Sequence, residues 1–145
     1  MIVFCLASPS GIPAIQLAAS ETNFDIADGL NRGFGVGYAS DYYNHGIEES
    51  MKLFDVNNAA INNFKIKNSF SGNTAGGLTQ ILEQKYIAFF QNSGRQAYYN
   101  YRRAGIPKFD IGPANANNNS IPTRWAYPTN EYSVNTVNLK ASLQS

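Results

Sequence analysis

Residues 78–107 read LTQILEQKYIAFFQNSGRQAYYNYRRAGIP, and their reading decides the fold. Leu78, Leu82, the stem of Lys85, Tyr86 and Phe89 recur at helical spacing, and Ile81 and Phe90 widen the stripe. Such spacing sets them on one face of a 3.6-residue helix, with Gln80, Glu83 and Gln84 away from it. The spacing predicts a helix over 78–90, broken by Gln91-Asn92-Ser93-Gly94 with Gly94 as a left-handed cap. A second helix is predicted over 95–103, carrying Tyr98, Tyr99 and Tyr101 and stopped by Gly105 and Pro107. Burying six large side chains of the first helix would contribute on the order of 9–18 kcal/mol, at roughly 1.5–3 each. That is an upper bound, because an unfolded chain is already partly collapsed. Tyr86 is expected in the core, so that Tyr86→Ala would cost roughly 3–5 kcal/mol.

The same stretch carries a family likeness. Gln84-Lys85-Tyr86-Ile87-Ala88-Phe89-Phe90, followed by Tyr101-Arg102-Arg103-Ala104-Gly105-Ile106-Pro107, resembles the C-terminal signature of the SusD/RagB outer-membrane nutrient-binding lipoproteins. A second block in the right order, Ile121-Pro122-Thr123-Arg124-Trp125-Ala126-Tyr127-Pro128-Thr129-Asn130-Glu131, resembles that family's tail. Upstream, Ser20-Glu21-Thr22-Asn23-Phe24-Asp25-Ile26-Ala27-Asp28-Gly29 is a degraded form of a family helix, with Ala27-Asp28-Gly29 where Ala-Glu-Ala is usual. Gly29 in place of Ala costs helix stability, roughly 0.8–1 kcal/mol.

The resemblance implies an all-α architecture of tetratricopeptide-like helical hairpins, helical over 15–104, with a long irregular tail over 105–145 docked on the helices. It implies a non-catalytic protein that captures oligosaccharide or another nutrient at the surface of a Gram-negative outer membrane. Its partner would be a SusC-like TonB-dependent transporter. Membrane attachment would come only from a lipid anchor upstream, this chain being the C-terminal portion of a longer family member. No cofactor or metal is implied, and neither catalytic nor ligand-binding residues are assigned.

Composition sets independent bounds. At 145 residues the chain is one domain's length or part of a larger one. Net charge is +1 and only 14% of residues are charged, so a basic nucleic-acid footprint is absent. Polarity comes from uncharged residues, Asn above all, with nine Tyr and nine Phe, a composition that suits neutral ligands such as sugars. Cys5 is the sole cysteine, so no intrachain disulfide is possible and no Cys/His metal cluster exists. Ile2-Val3-Phe4-Cys5 superficially resembles a lipidation signal but lacks a basic n-region, an adequate apolar run and a small residue before the cysteine. Residues 1–6 are read as a buried extended segment and 8–13 as a loop. No apolar run reaches the ~20 residues of a membrane span.

Between these ends, a helix is predicted over 16–31 with Leu17, Ser20, Phe24, Ala27 and Leu30 on one face. Gly33, Gly35 and Gly37 form a linker, not a phosphate loop, because they follow a helix and no Lys-Ser/Thr accompanies them. Ser40 is read as the cap of a helix whose face is Tyr43, Ile47, Met51 and Phe54. His45, off that stripe and the sole histidine, is read as a surface residue. A short helix over 58–64 packs Ile61 and Phe64, and 68–77 is a loop leading to Thr74 or Asn73 at the next helix start. The tail has no helical period before about residue 137, but Trp125, Tyr127, Pro128 and Tyr132 argue that it docks on the helices.

Three sets of residues bear on chemistry. Glu48 and Glu49 are adjacent and point apart, whereas Asp25 and Asp28 share a helix face; a glycosidase needs two carboxylates flanking one bond. As i,i+3 neighbours they read as solvated charges. Tyr86, Tyr98, Tyr99, Tyr101, Trp125 and Tyr127 have the chemistry to stack on sugar rings, and read as core on spacing. Arg102 and Arg103 read as complements to the dipole of their own helix. Two rival classes stay open: a helical protein-interaction module without a glycan site, and a small carbohydrate-active enzyme. Exposed aromatics would favour sugar binding, buried ones a scaffold.

Overall fold

The computed structural model describes residues 15–90, 95–115, 117 and 119–143. Among them are seven α-helices and no strand, so the all-α expectation holds. They are α1 (Ala19–Asn31), α2 (Ala39–Lys52), α3 (Asn58–Lys67), α4 (Ala75–Ala88), α5 (Gln96–Ala104), α6 (Glu131–Val134) and α7 (Thr136–Leu143). The chain forms two compact units, Met1–Phe109 and Asp110–Ser145. The readings of residues 1–13, including Cys5, and of Gly94 as a cap fall outside the described residues.

In the first unit α1 and α2 pair as a helical hairpin, and α4 packs on both. Phe24, Ala27, Tyr43, Ile47, Ile81 and Ala88 form the core, with Tyr42, Met51, Phe64 and Phe70 packed against it. The predicted faces of α1 and α2 supply most of it. Leu17 does not: it precedes the helix and is largely exposed, because α1 begins only at Ala19. Ser40 is not the cap of α2 either; Tyr38 holds that position without a side-chain bond, and the Ser40 hydroxyl lies against Asp41. The caps downstream are side-chain caps. Asn57 accepts from Ala60 N at 2.9 Å to start α3, and Thr74 accepts from Gly77 N at 3.0 Å to start α4.

The seam between α1 and α2 is close at Gly46. A Cβ there would lie 2.8 Å from ring atoms of Phe24, which is fully buried, so only glycine lets the ring seat. Phe24 meets the Tyr43 ring edge-on at 6.3 Å, and the Tyr43 hydroxyl donates to Asn68 O at 3.1 Å. Burial, with the Glu83 charge second, pushes the Tyr43 phenol up to about 12.

Of the face of α4 read in the sequence, Ile81, Leu82, Lys85 and Phe89 are buried and Tyr86 and Phe90 are not. Its buried residues are Gly77, Ile81, Leu82, Lys85 and Ala88, with Phe89 just beyond the helix end. Tyr86 is 43% exposed and Phe90 is 54% exposed, which corrects the placement of both in the core. At Gly77 an added Cβ would crowd the Gly72 carbonyl, Asn31 and Phe70, so the helix approaches its neighbours most closely through its smallest residue. Gly77 and Ala88 let the backbone come near at the two ends of the buried stripe, Ile81 and Leu82 fill its middle, and Tyr86, Ile87 and Phe90 turn outward.

Tyr86 keeps one ring contact, edge-on to Phe109 at 5.5 Å, and Phe109 also meets Tyr101 at 5.2 Å. Tyr86→Ala therefore loses about 1 kcal/mol in urea unfolding, the scale of one aromatic pair, not the cost of a core cavity. A loss above about 3 kcal/mol would return Tyr86 to the core.

Helix α5 starts at Gln96 and ends, as expected, at Gly105, which takes the left-handed φ of 68° and donates to Tyr101 O at 2.7 Å. None of its residues is buried.

The Glu48 carboxylate receives Lys52 Nζ at 2.7 Å and Lys65 Nζ at 3.1 Å, joining α2 to α3. Lys52 also reaches Glu49 at 3.8 Å, so the two adjacent glutamates share a cation. Those two ammonium hydrogen bonds hold the Glu48 carboxyl down to about 2, below its ordinary 4.5. A depressed folded-state value means that this contribution is complete above 4.5 and is lost as pH falls from there towards 2. Glu48→Gln should flatten the loss of stability over that window in urea unfolding; an unchanged acid limb would sink the assignment.

In the second unit α6 and α7 follow each other, and Leu139 is buried. Arg124 Nη1 donates to Ser142 O at 2.7 Å, and its guanidinium lies 5.4 Å from the Tyr127 ring centroid. Arg124 thus satisfies a carbonyl at the end of α7. Trp125 is 58% exposed and Tyr132 52%, so neither ring is enclosed within the second unit itself.

Candidate functional site

Helices α1, α4 and α5 bring their charges to one cleft. On α1, Glu21, Asp25 and Asp28 follow the core face by one position, at spacings of four and three, and so line a single edge of the helix. Glu21 and Asp28 are buried, and Asp25 is exposed. From α4 the buried Lys85 ammonium pairs with Asp25 Oδ1 and stands 4.0 Å from Glu21 Oε1. Its stem passes the Phe89 ring, with Nζ 5.4 Å from the centroid. From α5, Arg103 Nη2 reaches Asp28 Oδ2 at 2.6 Å, while Arg32 Nε, one turn on, takes Asp28 Oδ1.

Three carboxylates thus face three cations. A buried charge is costly unless paired, and Asp28 is paired twice. Arg103 also attaches α5, which buries nothing of its own, to α1. The Arg102-Arg103 pair was read from sequence as a complement to its own helix dipole; for Arg103 the structure corrects this, since its fork bonds across to another helix. Asp25 and Asp28 do line one cleft, as their spacing allows, but each holds a cation, and Asp28 is not the solvated charge expected. Glu21 went unremarked in the sequence. Its side chain is nine-tenths buried, and its carboxyl is paired with the Lys85 ammonium at 4.0 Å. Burial pushes it above 4.5, Lys85 opposes this, and Asp25 adds to it.

The cleft has a volume of about 420 Å³. Gln96 and Asn100, one turn apart on α5, form part of its wall, and among the described residues neither amide is engaged elsewhere. Phe34, on the loop after α1, lines it while remaining 83% exposed. Gly29 leaves room: a Cβ there would meet nothing within 4 Å. The other aromatics singled out in the sequence do not converge here. Tyr86 and Tyr101 are joined through Phe109, Tyr98 meets Tyr99 at 6.0 Å, and Trp125 and Tyr127 belong to the second unit. Among the described residues no group of three His, Cys, Asp or Glu is placed to hold a metal ion. Nor is any helix there long and apolar enough to cross a membrane.

A helical hairpin with α4 packed on it, and a charge-balanced cleft beside it, define an all-α fold of known kind. The SusD-like family described as "Starch-binding associating with outer membrane" matches residues 6–128, and the chain belongs to that family. Solved structures agree. A SusD homologue from Bacteroides fragilis is 32% identical, with a TM-score of 0.79 over 94% of this chain and 33% of its own. A second SusD homologue from Bacteroides fragilis is 25% identical, with a TM-score of 0.73 over 91% of this chain and 31% of its own. The protein described as "Bacteroidetes AC2a SusD-like" is 27% identical, with a TM-score of 0.70 over 85% of this chain and 26% of its own. The chain therefore spans about a third of the length of the solved structures it matches. No curated protein matches it.

Proposed function

We infer that this chain is the helical part of a non-catalytic nutrient-binding protein of the outer membrane, taking neutral oligosaccharide and working with a SusC-like TonB-dependent transporter. The match of residues 6–128 to a family described as starch-binding carries this reading. The charge balance supports it. A net charge of +1 offers no attraction to a polyanion, and uncharged polar side chains supply most of the hydrogen-bonding surface. The pairing of Asp25 and Asp28 with cations argues against a glycosidase, which needs one of two facing carboxyls kept as an acid.

Native gels cast with soluble starch, xylan or galactomannan test the binding. Retarded migration in at least one, with no reducing sugar released, is the expected result. Free migration in all three would remove the binding reading, and release of reducing sugar would replace it with an enzyme. Co-purification of a TonB-dependent transporter with the tagged protein from outer-membrane extracts tests the partnership.

A further inference from the structure

We propose that the cleft between α1 and α5 is a sugar-ring subsite, with Phe34 as the stacking face, Gln96 and Asn100 as hydroxyl partners, and Glu21 as the buried acceptor at its floor. This deepens the proposed function and rests on it.

Four observations converge. The first is charge. Glu21, Asp25 and Asp28 are balanced by Arg32, Lys85 and Arg103, so the cleft carries polar groups in quantity and no net field. A charged ligand would gain little there, whereas a neutral polyhydroxyl compound finds donors and acceptors side by side. The second is unused hydrogen-bonding capacity. The Gln96 and Asn100 amides each offer two donors and an acceptor, and nothing among the described residues engages them. Glu21 adds to this: its side chain is nine-tenths buried with its cation 4.0 Å away, and since no fully buried oxygen is left unsatisfied among the described residues, its carboxylate keeps an accessible edge that a ligand hydroxyl can reach.

The third is the apolar face. Phe34 stands on the loop Gly33-Phe34-Gly35 with most of its surface in solvent, and Gly33 takes a positive φ of 80°. Its backbone is nevertheless held, since Phe34 N donates to Gly29 O at 2.9 Å. A ring anchored by its backbone and left uncovered is placed to stack on the apolar face of a pyranose. The fourth is room. At about 420 Å³ the cleft lies within the roughly 300–1,000 Å³ of small-molecule sites, and Gly29 keeps its wall bare.

The ordered ion pairs have a further part here. Lys85 holds Asp25 and Arg103 holds Asp28, so the polar wall is organised before a ligand arrives, and little ordering remains to be done on binding.

The test uses the whole chain and isothermal titration with maltoheptaose, cellopentaose and trigalacturonate. Gly29→Trp fills the cleft at a point where the added Cβ meets nothing, and Gly29→Ala is its control. The double variant Gln96→Ala/Asn100→Ala removes two exposed-face amides without touching the core, should the tryptophan disturb α1. A neutral oligosaccharide is expected to bind the chain and its Gly29→Ala form alike. Both Gly29→Trp and the amide variant should bind at least about tenfold more weakly, the scale of one lost hydrogen bond. Trigalacturonate should bind more weakly than either neutral probe. Unchanged affinity in the filled and amide variants would overturn the subsite while leaving the nutrient-binding reading in place. Preference for trigalacturonate would overturn the neutral ligand class. Failure of the chain to bind either neutral probe would overturn the subsite, and failure also to be retarded in any polysaccharide gel would take the function with it.

Discussion

Phe24→Ala loses about 3–5 kcal/mol of stability, the cost of deleting a buried aromatic ring from a core that cannot close over the gap. Phe24 is fully buried, lies edge-on to Tyr43 and faces Gly46 across the seam of α1 and α2. The backbone of α2 borders the void that would be left, and a backbone does not swing into a hole as a flexible side chain does. Urea unfolding at neutral pH measures the loss directly. The seam makes a second, sharper expectation. Gly46→Ala brings a methyl to 2.8 Å from the ring, an overpacking of roughly 1–3 kcal/mol, partly offset by the better helix propensity of alanine. In the Phe24→Leu background the same alanine should cost less, because the ring it crowds is gone. Additive losses in the double variant would show that the two positions do not touch.

Lys85→Ala is the second large effect, about 3 kcal/mol at neutral pH. Removing one partner of a buried pair leaves an uncompensated charge, typically a 3–5 kcal/mol loss. The low end applies because Asp25 is half in solvent and recovers hydration. Glu21 cannot recover it so readily, being buried on the other side of the ammonium. The pH dependence follows from its sign. Glu21 has a folded-state value raised above 4.5, so the fold favours its neutral form; that contribution is present below 4.5 and is lost as pH rises through the folded value. Lys85 is the group that lowers it, so the variant raises it further. The penalty should accordingly shrink when unfolding is repeated near pH 4.5. An equal penalty at both pH values would mean that Glu21 does not feel Lys85. Lys85→Met, which keeps the stem over Phe89, separates the charge from the packing.

The sequence carried the helices well wherever apolar residues mark a face by themselves. Ser20, Phe24, Ala27 and Leu30 in α1, and Tyr43 and Ile47 in α2, are buried as their spacing requires. Thr74 at the start of α4 and Gly105 at the end of α5 act by local hydrogen bonding and backbone conformation, which neighbouring residues determine. Family membership was also legible, because the Gln84–Phe90 and Tyr101–Pro107 blocks are specific strings. The candidate site was much less so. The pattern marked Asp25 and Asp28 as sharing a face, yet Glu21 entered only as part of the Ser20–Gly29 string, and Gln96 and Asn100 carried no signal.

Sequence alone was enough for α1 to α5 and α7, with boundaries to within a few residues, and for the family; the short α6 carried no period of its own. Only the tertiary structure decided which side of α4 goes inward. Counting apolar residues favours Leu78, Ile81, Leu82, the stem of Lys85, Tyr86, Phe89 and Phe90, while the buried set is Gly77, Ile81, Leu82, Lys85 and Ala88 with Phe89 just beyond the helix, so the face is turned from Tyr86 and Phe90 towards Gly77 and Ala88. The reason is distance: α4 meets the residues around Asn31 and Phe70 through Gly77, and only small side chains permit that approach. Lys85 is drawn in because Glu21 and Asp25 wait on α1 to receive its charge. The sequence places the stem of Lys85 on the apolar face; what no local pattern records is that its ammonium is buried with it, against a partner 60 residues away.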